Sequence, residues 1–552
     1  MNRFFTSFFC LQILLSAFAL TSCSEENQVD ATSQSTASDS QPVLCTVFST
    51  GSSVNRVPKD GVNHTSMNVS RDFFWTAGDQ IYVNTEGENY QMTDNCTLLG
   101  DGRRADFRLN DISLTEPTCT VLYIGNGTNS KTASKNDLKV KIEATQKQTA
   151  WGNSEHLGAS GDCGVAEATW DETTRKYSFD LDHKAAYLMF QPYKAEQITA
   201  NWKVMKIEII TDGTTKIAGT YDFGTGELVG TGTSDTVELN CNSTFYSREG
   251  STGMQAPSTE FASGGFDLPS SASPTNSCFA VIAPGAHKLT IRYTIQPEES
   301  FRNYEDGFFR ITKEISLRNY NPNGVTTIKH KLDVMHFEDV KYYTWDAPID
   351  EPYDLHVSST HANASTVVAP TQASRSCKDM PNANEMYWYI ENGDPRWDLQ
   401  TPWTNDKGKN VYTGGAWIMT KAAILEAGKT FDPNVGKDGI DMRVEYREHD
   451  VYSTTYRKGG RPKDTNKYFF LPILGHYEGN DLAFYYHVDY HRESDYDKIL
   501  PWGEYWSSSS APYNNPAKGE QTYKLFIHED CISVWGWYRE TYALPTHPEW
   551  FR

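Results

Sequence analysis

Residues 177–190, YSFDLDHKAAYLMF, contain the pattern that decides the fold. Apolar and polar residues alternate up to Leu181, and a continuous apolar run covers 186–190. Alternation with a period of two is typical of a strand with one buried face, and a short apolar run of a strand that is buried on both. His183 is the only histidine of the stretch, and a hydrogen-bonded histidine at a strand edge is favoured over a catalytic one. The stretch therefore predicts a β-rich core.

Similar runs lie on both sides of this stretch, with Gly, Asn and Asp between them. They cover residues 43–47, 74–83, 121–124, 204–210, 278–282 and 289–295. The first run places Val43, Cys45 and Val47 at alternating positions. Several short strands at such spacings predict two β-sandwiches, one over residues 42–192 and one over residues 193–336.

Residues 337–552 have a different character, because they contain most of the tryptophans and a helical pattern at about 419–427. We expect a separate α+β domain there. Some of its aromatic side chains could form a stacking platform for sugar rings or peptide, although packing in the core is equally compatible with each. These candidates for a ligand surface are Trp388, Trp397, Trp403, Trp535 and Trp537.

The N-terminus predicts export. Residues 1–22 combine one basic residue with a short apolar run that contains Ser and Gln, which indicates a signal peptide rather than a membrane span. The run ends in Leu-Thr-Ser-Cys at 20–23, which resembles a bacterial lipobox, so we expect lipidation of Cys23. The polar residues that follow predict a flexible, lipid-anchored tether over residues 23–41.

Charge and cysteine content exclude several classes of function. The net charge is −21, and loss of Arg3 with the signal peptide makes it −22, so nucleic acid is not an expected partner. Cysteines beyond Cys10 and Cys23 are far apart and form no CxxC pair, which excludes zinc fingers and thioredoxin-like sites. Export permits disulfides, and the pairing that we expect is Cys377 with Cys531.

No cofactor and no enzymatic activity are predicted, because the chain lacks GxSxG, HExxH and P-loop motifs. His487, Asp489 and His491 alternate, so in a strand they would share one face and could bind a metal. The surrounding residues 485–498 are so polar that an exposed strand or loop is favoured, and no metal site is expected.

The first two regions resemble the fimbrillin family, the subunits of type V pili of Gram-negative anaerobes. The similarity lies in residues 74–83, 177–190, 217–223 and 283–285, in this order. The resemblance implies two transthyretin-like β-sandwiches.

The third region resembles the C-type-lectin-like domain of many fimbrillin-like lipoproteins. The matching segments are 377–383, 414–417, 470–477, 503–509 and 523–526. It lacks the Glu-Pro-Asn or Gln-Pro-Asp loop followed by Trp-Asn-Asp, so the resemblance does not imply calcium-dependent sugar binding.

The fimbrillin resemblance also gives Arg56 a role. In that family a trypsin-like protease cuts after a basic residue, which removes the first strand and opens a groove that a neighbouring subunit fills by β-augmentation. The strand-like residues 43–49 directly precede Arg56, so cleavage there would fit, although Arg56 could equally be a loop residue.

Together these patterns predict a surface-exposed lipoprotein of the outer membrane, and a location in the fimbrium after cleavage. The leading hypothesis is a tip or accessory subunit of a type V pilus. Its partners would be other subunits, through strand donation, and a glycan or protein ligand on a host or bacterial surface. The alternative is an uncleaved, lipid-anchored protein that binds polysaccharide or protein for nutrient capture.

Overall fold

A computed structural model gives the architecture of the chain. The residues that it describes are 45–50, 66–67, 73–100, 102–125, 127, 130–248, 259–297, 308–337, 339–350, 352, 372–445, 451–452, 460–478, 483–485, 502–512, 521–528, 531–538 and 542–552. The fold is mainly β, as predicted, with its strands distributed over many sheets. Within the described residues, no helix has the length and the apolar content that a membrane crossing requires.

The first predicted region contains fifteen described strands. They are β1 (Cys45–Thr50), β2 (Ser66–Met67), β3 (Phe73–Phe74), β4 (Tyr82–Glu86), β5 (Asn89–Met92), β6 (Thr97–Leu99), β7 (Arg104–Asn110), β8 (Thr118–Tyr123), β9 (Thr132–Ser134), β10 (Lys139–Ile142), β11 (Thr145–Gln148), β12 (Gly164–Asp171), β13 (Lys176–Phe179), β14 (Asp182–His183) and β15 (Ala186–Phe190). Ten of them form one sheet in the order β6-β7-β1-β13-β12-β8-β4-β5-β9, with β14 paired to β12.

The inner face of this sheet is aromatic. The ring of Trp75 contacts those of Phe107, Tyr123 and Phe179, with the nearest centroids 4.9 Å apart. These rings are buried together with Phe48 of β1. Since aromatic side chains bury the largest apolar areas, this cluster is the main source of stability on this face of the sheet.

The second region contributes thirteen strands among its described residues. They are β16 (Tyr193–Lys194), β17 (Trp202–Thr211), β18 (Gly219–Asp222), β19 (Thr236–Cys241), β20 (Ser243–Arg248), β21 (Thr259–Gly264), β22 (Phe266–Asp267), β23 (Cys278–Ile282), β24 (Gly285–Pro297), β25 (Phe309–Tyr320), β26 (Val325–Ile328), β27 (Lys331–Leu332) and β28 (Met335–His336). Its two principal sheets have the orders β11-β19-β17-β24-β25, with β22 paired to β17, and β23-β15-β26.

Strand pairing crosses the boundary that we predict at residue 192. Strands β10, β11 and β15 precede this boundary, yet they pair with β18, with β19, and with β23 and β26. The apolar run over 186–190 explains why β15 lies inside a sheet. All five residues of this strand are buried, so its backbone groups need a partner strand at each edge. Buried residues of both regions accordingly form one continuous cluster.

The third region is α+β, with sheets of four strands each. Its strands are β29 (Tyr342–Tyr343), β30 (Arg396–Thr404), β31 (Val411–Met419), β32 (Val451–Tyr452), β33 (Tyr468–Pro472), β34 (His476–Glu478), β35 (Ala483–Tyr485), β36 (Trp502–Ser510), β37 (Gln521–His528), β38 (Ile532–Tyr538) and β39 (Tyr542–Pro545). The sheet orders are β28-β30-β31-β33, β29-β39-β34-β35 and β32-β38-β37-β36.

Two α-helices accompany these sheets in the part of the third region that the structure describes. Helix α2 (Lys421–Glu426) lies inside the predicted range 419–427, which confirms that prediction. Helix α1 (Ala383–Asn392) is longer and was not predicted. It begins with a capping box, in which the side chain of Asn382 accepts from the Glu385 N–H at 3.0 Å and the Glu385 carboxylate accepts from the Asn382 N–H at 3.1 Å.

Candidate functional site

Strand β1 is an interior strand of the first sheet although it is the first described strand of the chain. It pairs antiparallel with β7, from Cys45 opposite Asn110 to Ser49 opposite Asp106. On its other edge it pairs parallel with β13, where Phe48 lies opposite Tyr177. Both edges of β1 are therefore bonded to strands that are distant in sequence, and β1 bridges β7 and β13.

Side chains of β1 enter the core at alternate positions. Phe48 is fully buried, and its ring stacks on that of Tyr177 with centroids 5.1 Å apart. The neighbouring inward residues are two threonines whose hydroxyl groups are satisfied: Thr46 donates to the Ile112 carbonyl at 2.7 Å, and Thr50 accepts from the Ala105 N–H at 2.9 Å. One aromatic ring flanked by two hydrogen-bonded hydroxyl groups thus holds β1 in place.

The residues of β1 that face the core are not the ones that the sequence pattern predicted. The alternation of Val43, Cys45 and Val47 would place odd-numbered residues on one apolar face, whereas the core receives the even-numbered residues 46, 48 and 50. Cys45 is exposed and Val47 is half-buried. The reason is the pairing with β7 and β13, which puts the aromatic ring of Phe48 against Tyr177. The residues on which lipidation and cleavage are predicted, Cys23 and Arg56, lie outside the described residues.

His183 is hydrogen-bonded, which confirms the structural interpretation of this residue. Its Nδ1 lies 2.7 Å from Asp162 Oδ1, and Tyr187 donates its hydroxyl hydrogen to the same carboxylate oxygen. All three side chains are buried, and Phe73 stacks on the imidazole at 4.2 Å. Because the ring is enclosed on all sides, it connects strands and is not available to a substrate.

The pairing of Cys377 with Cys531 stays a prediction. Of the two cysteines, Cys377 is buried and Cys531 is half-buried. The Cys377 sulfur accepts a hydrogen bond from the Asp346 N–H at 3.3 Å. Burial raises the pKa of this thiol to about 12, so it is protonated at neutral pH.

Three of the five tryptophans proposed for a ligand surface lie in the core. Trp388, Trp397 and Trp403 are 5%, 4% and 0% exposed, and Trp403 donates to the Gly414 carbonyl at 3.0 Å. For these three the core-packing alternative applies, because they belong to the buried hydrophobic cluster of the third region. Trp535 is half-buried, with the Lys524 ammonium 5.2 Å from its ring centroid. The side chain of Trp537 lies outside the described part of the chain.

The third region contains an open cleft of about 420 Å³. Its lining includes the cations Lys341, Arg375 and Lys378, the acids Asp339, Asp379 and Glu549, and the side chains of Tyr343, Ile349 and His547. Both signs of charge are present, so the cleft is suited to a polar ligand rather than to a simple anion. Its volume falls within the range of about 300–1,000 Å³ that is typical of small-molecule sites.

One wall of this cleft is fixed by His547. Its Nε2 accepts from the Lys341 N–H at 3.0 Å, its Nδ1 donates to the Glu549 carboxylate at 2.7 Å, and its ring stacks on Trp550 at 4.1 Å. Burial lowers the pKa of His547, with Glu549 acting in the opposite direction. Because Nε2 accepts a hydrogen bond, it carries no proton, and we expect His547 to line the cleft as a neutral ring.

A second part of the lining, the loop that carries Arg375, is held by a buried aspartate. Asp346 is fully buried, and its carboxylate accepts from the backbone N–H groups of Ser374, Arg375 and Cys377 at 2.9, 2.7 and 3.3 Å. The loop that carries Arg375 is therefore held against the body of the domain. Sequence reasoning missed this site, although the charged residues next to Cys377 were visible in the segment 377–383.

The weak metal candidates His487, Asp489 and His491 lie outside the described residues. In the part of the chain that the structure describes, no group of three or more His, Cys, Asp and Glu side chains is arranged to hold a metal ion.

No protein-family model matches the chain, and no curated protein sequence does so either. Solved structures of cell adhesion and fimbrial proteins are among its neighbours. A Bacteroides ovatus protein whose proposed role is cell adhesion has 13% identity, covering 50% of this chain and 94% of its own, with a TM-score of 0.27.

Two further neighbours are fimbrial proteins. The fimbrial anchor protein Mfa2 from Porphyromonas gingivalis has 9% identity, covers 49% of this chain and 82% of its own, and has a TM-score of 0.20. A fimbrial protein from Bacteroides ovatus has 12% identity, covers 90% of this chain and 97% of its own, and has a TM-score of 0.20. Likenesses at these TM-scores do not establish a shared fold, so a function has to be supported by the residues of the chain itself.

Proposed function

We propose that this protein is a cell-surface, fimbrillin-like lipoprotein that acts as a tip or accessory subunit of a type V pilus and mediates adhesion. In this proposal Cys23 carries the lipid that attaches the chain to the outer membrane. The first two regions are transthyretin-like sandwiches, and the third is a C-type-lectin-like domain. The role is structural and adhesive, and no residue is assigned to catalysis. The observation that carries the proposal is the position of β1 between β7 and β13.

Release of β1 would open a groove in the first sheet that could accept a strand from another subunit. Cleavage after Arg56 would separate β1 covalently from the rest of the chain, because β1 ends at Thr50. Its departure would leave the facing backbone groups of β7 and β13 unpaired and expose the Tyr177 ring on which Phe48 stacks. The six residues of β1 correspond to a groove about 20 Å long. An extended strand from another subunit could fill this groove by β-augmentation.

Strand β39 is bonded within its own domain. Both edges of β39 are in use, with Leu544 opposite Tyr343 and Ala543 opposite Tyr477. Residues 548–551 then form a 3-10 helix in which Phe551 is buried and accepts a hydrogen bond from the Tyr389 hydroxyl at 3.1 Å. Because this segment is built into its own domain, it is not a spare strand for donation to a neighbour.

The cleft next to His547 is the proposed contact site for the adhesion ligand. The ligand would be a polar group of a glycan or protein on a host or bacterial surface. Two residues that line the cleft, His547 and Arg375, are held by partly buried hydrogen bonds, which reduces the conformational entropy that is lost on binding.

The alternative is an uncleaved, lipid-anchored protein that captures polysaccharide or protein for nutrient uptake. One observation favours it. With β1 in place between β7 and β13, Phe48 fills the core of the first sheet, so the uncleaved chain needs no strand from another subunit there. In this case β1 stays in the sheet, and the cleft serves to capture a nutrient.

N-terminal sequencing of protein sheared from cells that assemble type V pili distinguishes the two functions. The pilus function predicts a chain that starts at Val57 and migrates in a high-molecular-weight fibre. Arg56→Ala should abolish both, while Lys59→Ala, a nearby change that leaves the predicted site intact, should preserve them. Monomeric wild-type protein that retains acylated Cys23 would contradict the pilus function and support the alternative.

A further inference from the structure

Two cysteines of the second region face each other across its two principal sheets. Cys241 is the last residue of β19, in the sheet β11-β19-β17-β24-β25, and Cys278 is the first residue of β23, in the sheet β23-β15-β26. Their sulfur atoms are 3.9 Å apart, and both side chains are fully buried. A covalent bond between them would therefore join the two sheets directly.

The backbones that carry these thiols are held in register by one side chain. Gln148 of β11 lies opposite Cys241 in the parallel pairing of β11 with β19. Its side-chain amide donates to the Ser277 carbonyl at 2.9 Å and accepts from the Phe279 N–H at 2.8 Å, so it is bonded on both sides of Cys278. Gln148 is fully buried, which makes this arrangement costly to break. The proximity of the two sulfurs is consequently a built feature of the core.

We infer that Cys241 and Cys278 form a disulfide bond that joins the two sheets of the second region in the exported protein. The inference rests on the export part of the proposed function and is independent of pilus assembly. To form the bond, the sulfurs have to approach from 3.9 Å to about 2 Å. Exported proteins meet an oxidising compartment in which such bonds persist.

The bond forms by thiol–disulfide exchange with a disulfide oxidant, which is either a protein disulfide of the export compartment or glutathione disulfide. One cysteine thiolate attacks the oxidant and releases one of its sulfurs as a thiol. The second cysteine then attacks the mixed disulfide and releases the other sulfur. The two cysteines lose two protons and two electrons, and the oxidant is reduced to two thiols. Since burial raises the pKa of Cys278 and closes access to it, the exchange takes place before this core closes.

Peptide mapping tests the bond directly. The mature chain is refolded with glutathione disulfide, denatured in an alkylating agent without reductant, and digested. We expect a peptide that joins Cys241 to Cys278 and is released by reductant, while Cys163 is alkylated from the start. Alkylation of both Cys241 and Cys278 before reduction, or the pairing of either with another cysteine, would overturn the inference. Because the refolding uses purified protein, such a failure would leave export and pilus assembly untested and would refute only the bond.

Thermal melting gives a second measurement. The oxidised wild type should melt several degrees above the reduced wild type, because the cross-link restricts the unfolded chain. This difference should disappear in Cys241→Ala/Cys278→Ala and persist in Cys163→Ala, a matched control at another fully buried cysteine. A reductant-dependent difference that survives in the double variant would count against the inference. If the double variant fails to fold, the peptide map of the wild type remains decisive.

Discussion

Phe48→Ala tests whether β1 is held mainly by one aromatic ring. The ring is fully buried and stacks on Tyr177 at 5.1 Å, so its removal deletes buried apolar area and leaves a cavity. Phe→Ala changes in cores cost about 3–5 kcal/mol. The control is Val47→Ala in the same strand, where the side chain is half-buried on the other face of the sheet. There the expected cost is about 1 kcal/mol.

Native-state hydrogen exchange is the suitable assay, because a chain with several regions has no single free energy of unfolding. The amides of β7 and β13 that pair with β1 report its opening. A loss of 3 kcal/mol should accelerate their exchange by about a hundredfold in Phe48→Ala, with a much smaller change in Val47→Ala. Equal acceleration in both variants, or no acceleration at these amides, would refute the assignment of Phe48 as the anchor of β1.

Further predictions concern buried charge, pH and helix capping. Lys524 donates to Glu504 inside the third region, so Lys524→Met should cost about 3–5 kcal/mol by removing the ammonium partner of a buried carboxylate, and Glu504→Leu/Lys524→Met should cost less. Urea unfolding of the wild type, the single variant and the double variant checks this order of stability. A double variant that is less stable than the single variant would contradict it. Burial lowers the pKa of His156 to about 4, below the 6.5 of the unfolded chain. Stability should therefore fall as the pH drops from 6.5 towards 4, and melting curves should show a flatter dependence in His156→Gln. Asn382→Ala should destabilise α1 by about 1 kcal/mol, seen as faster amide exchange in its first turn, and an unchanged rate would argue against the capping box.

The sequence predicted the types of the elements better than their partners. The apolar run 186–190 forms β15, and the helical pattern at 419–427 contains α2, because both are set by local periodicity. The pairing of β15 with β23 and β26 could not be predicted, since it depends on contacts between residues distant in the chain. For the same reason, a boundary drawn from strand spacing cannot detect that pairing crosses it.

Helix α1 was missed for a physical reason. Its residues 386–390 are Met-Tyr-Trp-Tyr-Ile and are all buried, so the helix has no polar face along this stretch. Aromatic and β-branched residues in such a run favour strands in an analysis of sequence alone. The local signal that could have found the helix is the pair Asn382 and Glu385, three residues apart, which forms the capping box.

The candidate site shows the same division between local and distant information. The sequence predicted a strand before Arg56. Which of its side chains point inward depends on the neighbouring strands, which orient Phe48 rather than Val47 towards the core. This orientation limits which strand could replace β1 in the proposed strand exchange. A donor strand that replaces β1 must bring a large apolar side chain to the place of Phe48, because that place is surrounded by the aromatic core. At the places of Thr46 and Thr50 it needs small hydroxyl groups, since larger apolar residues would leave the Ile112 carbonyl and the Ala105 N–H without their hydrogen bonds. A one-residue slip would turn all three inward positions to the other face of the sheet, so the groove would select both the sequence and the register of the donor.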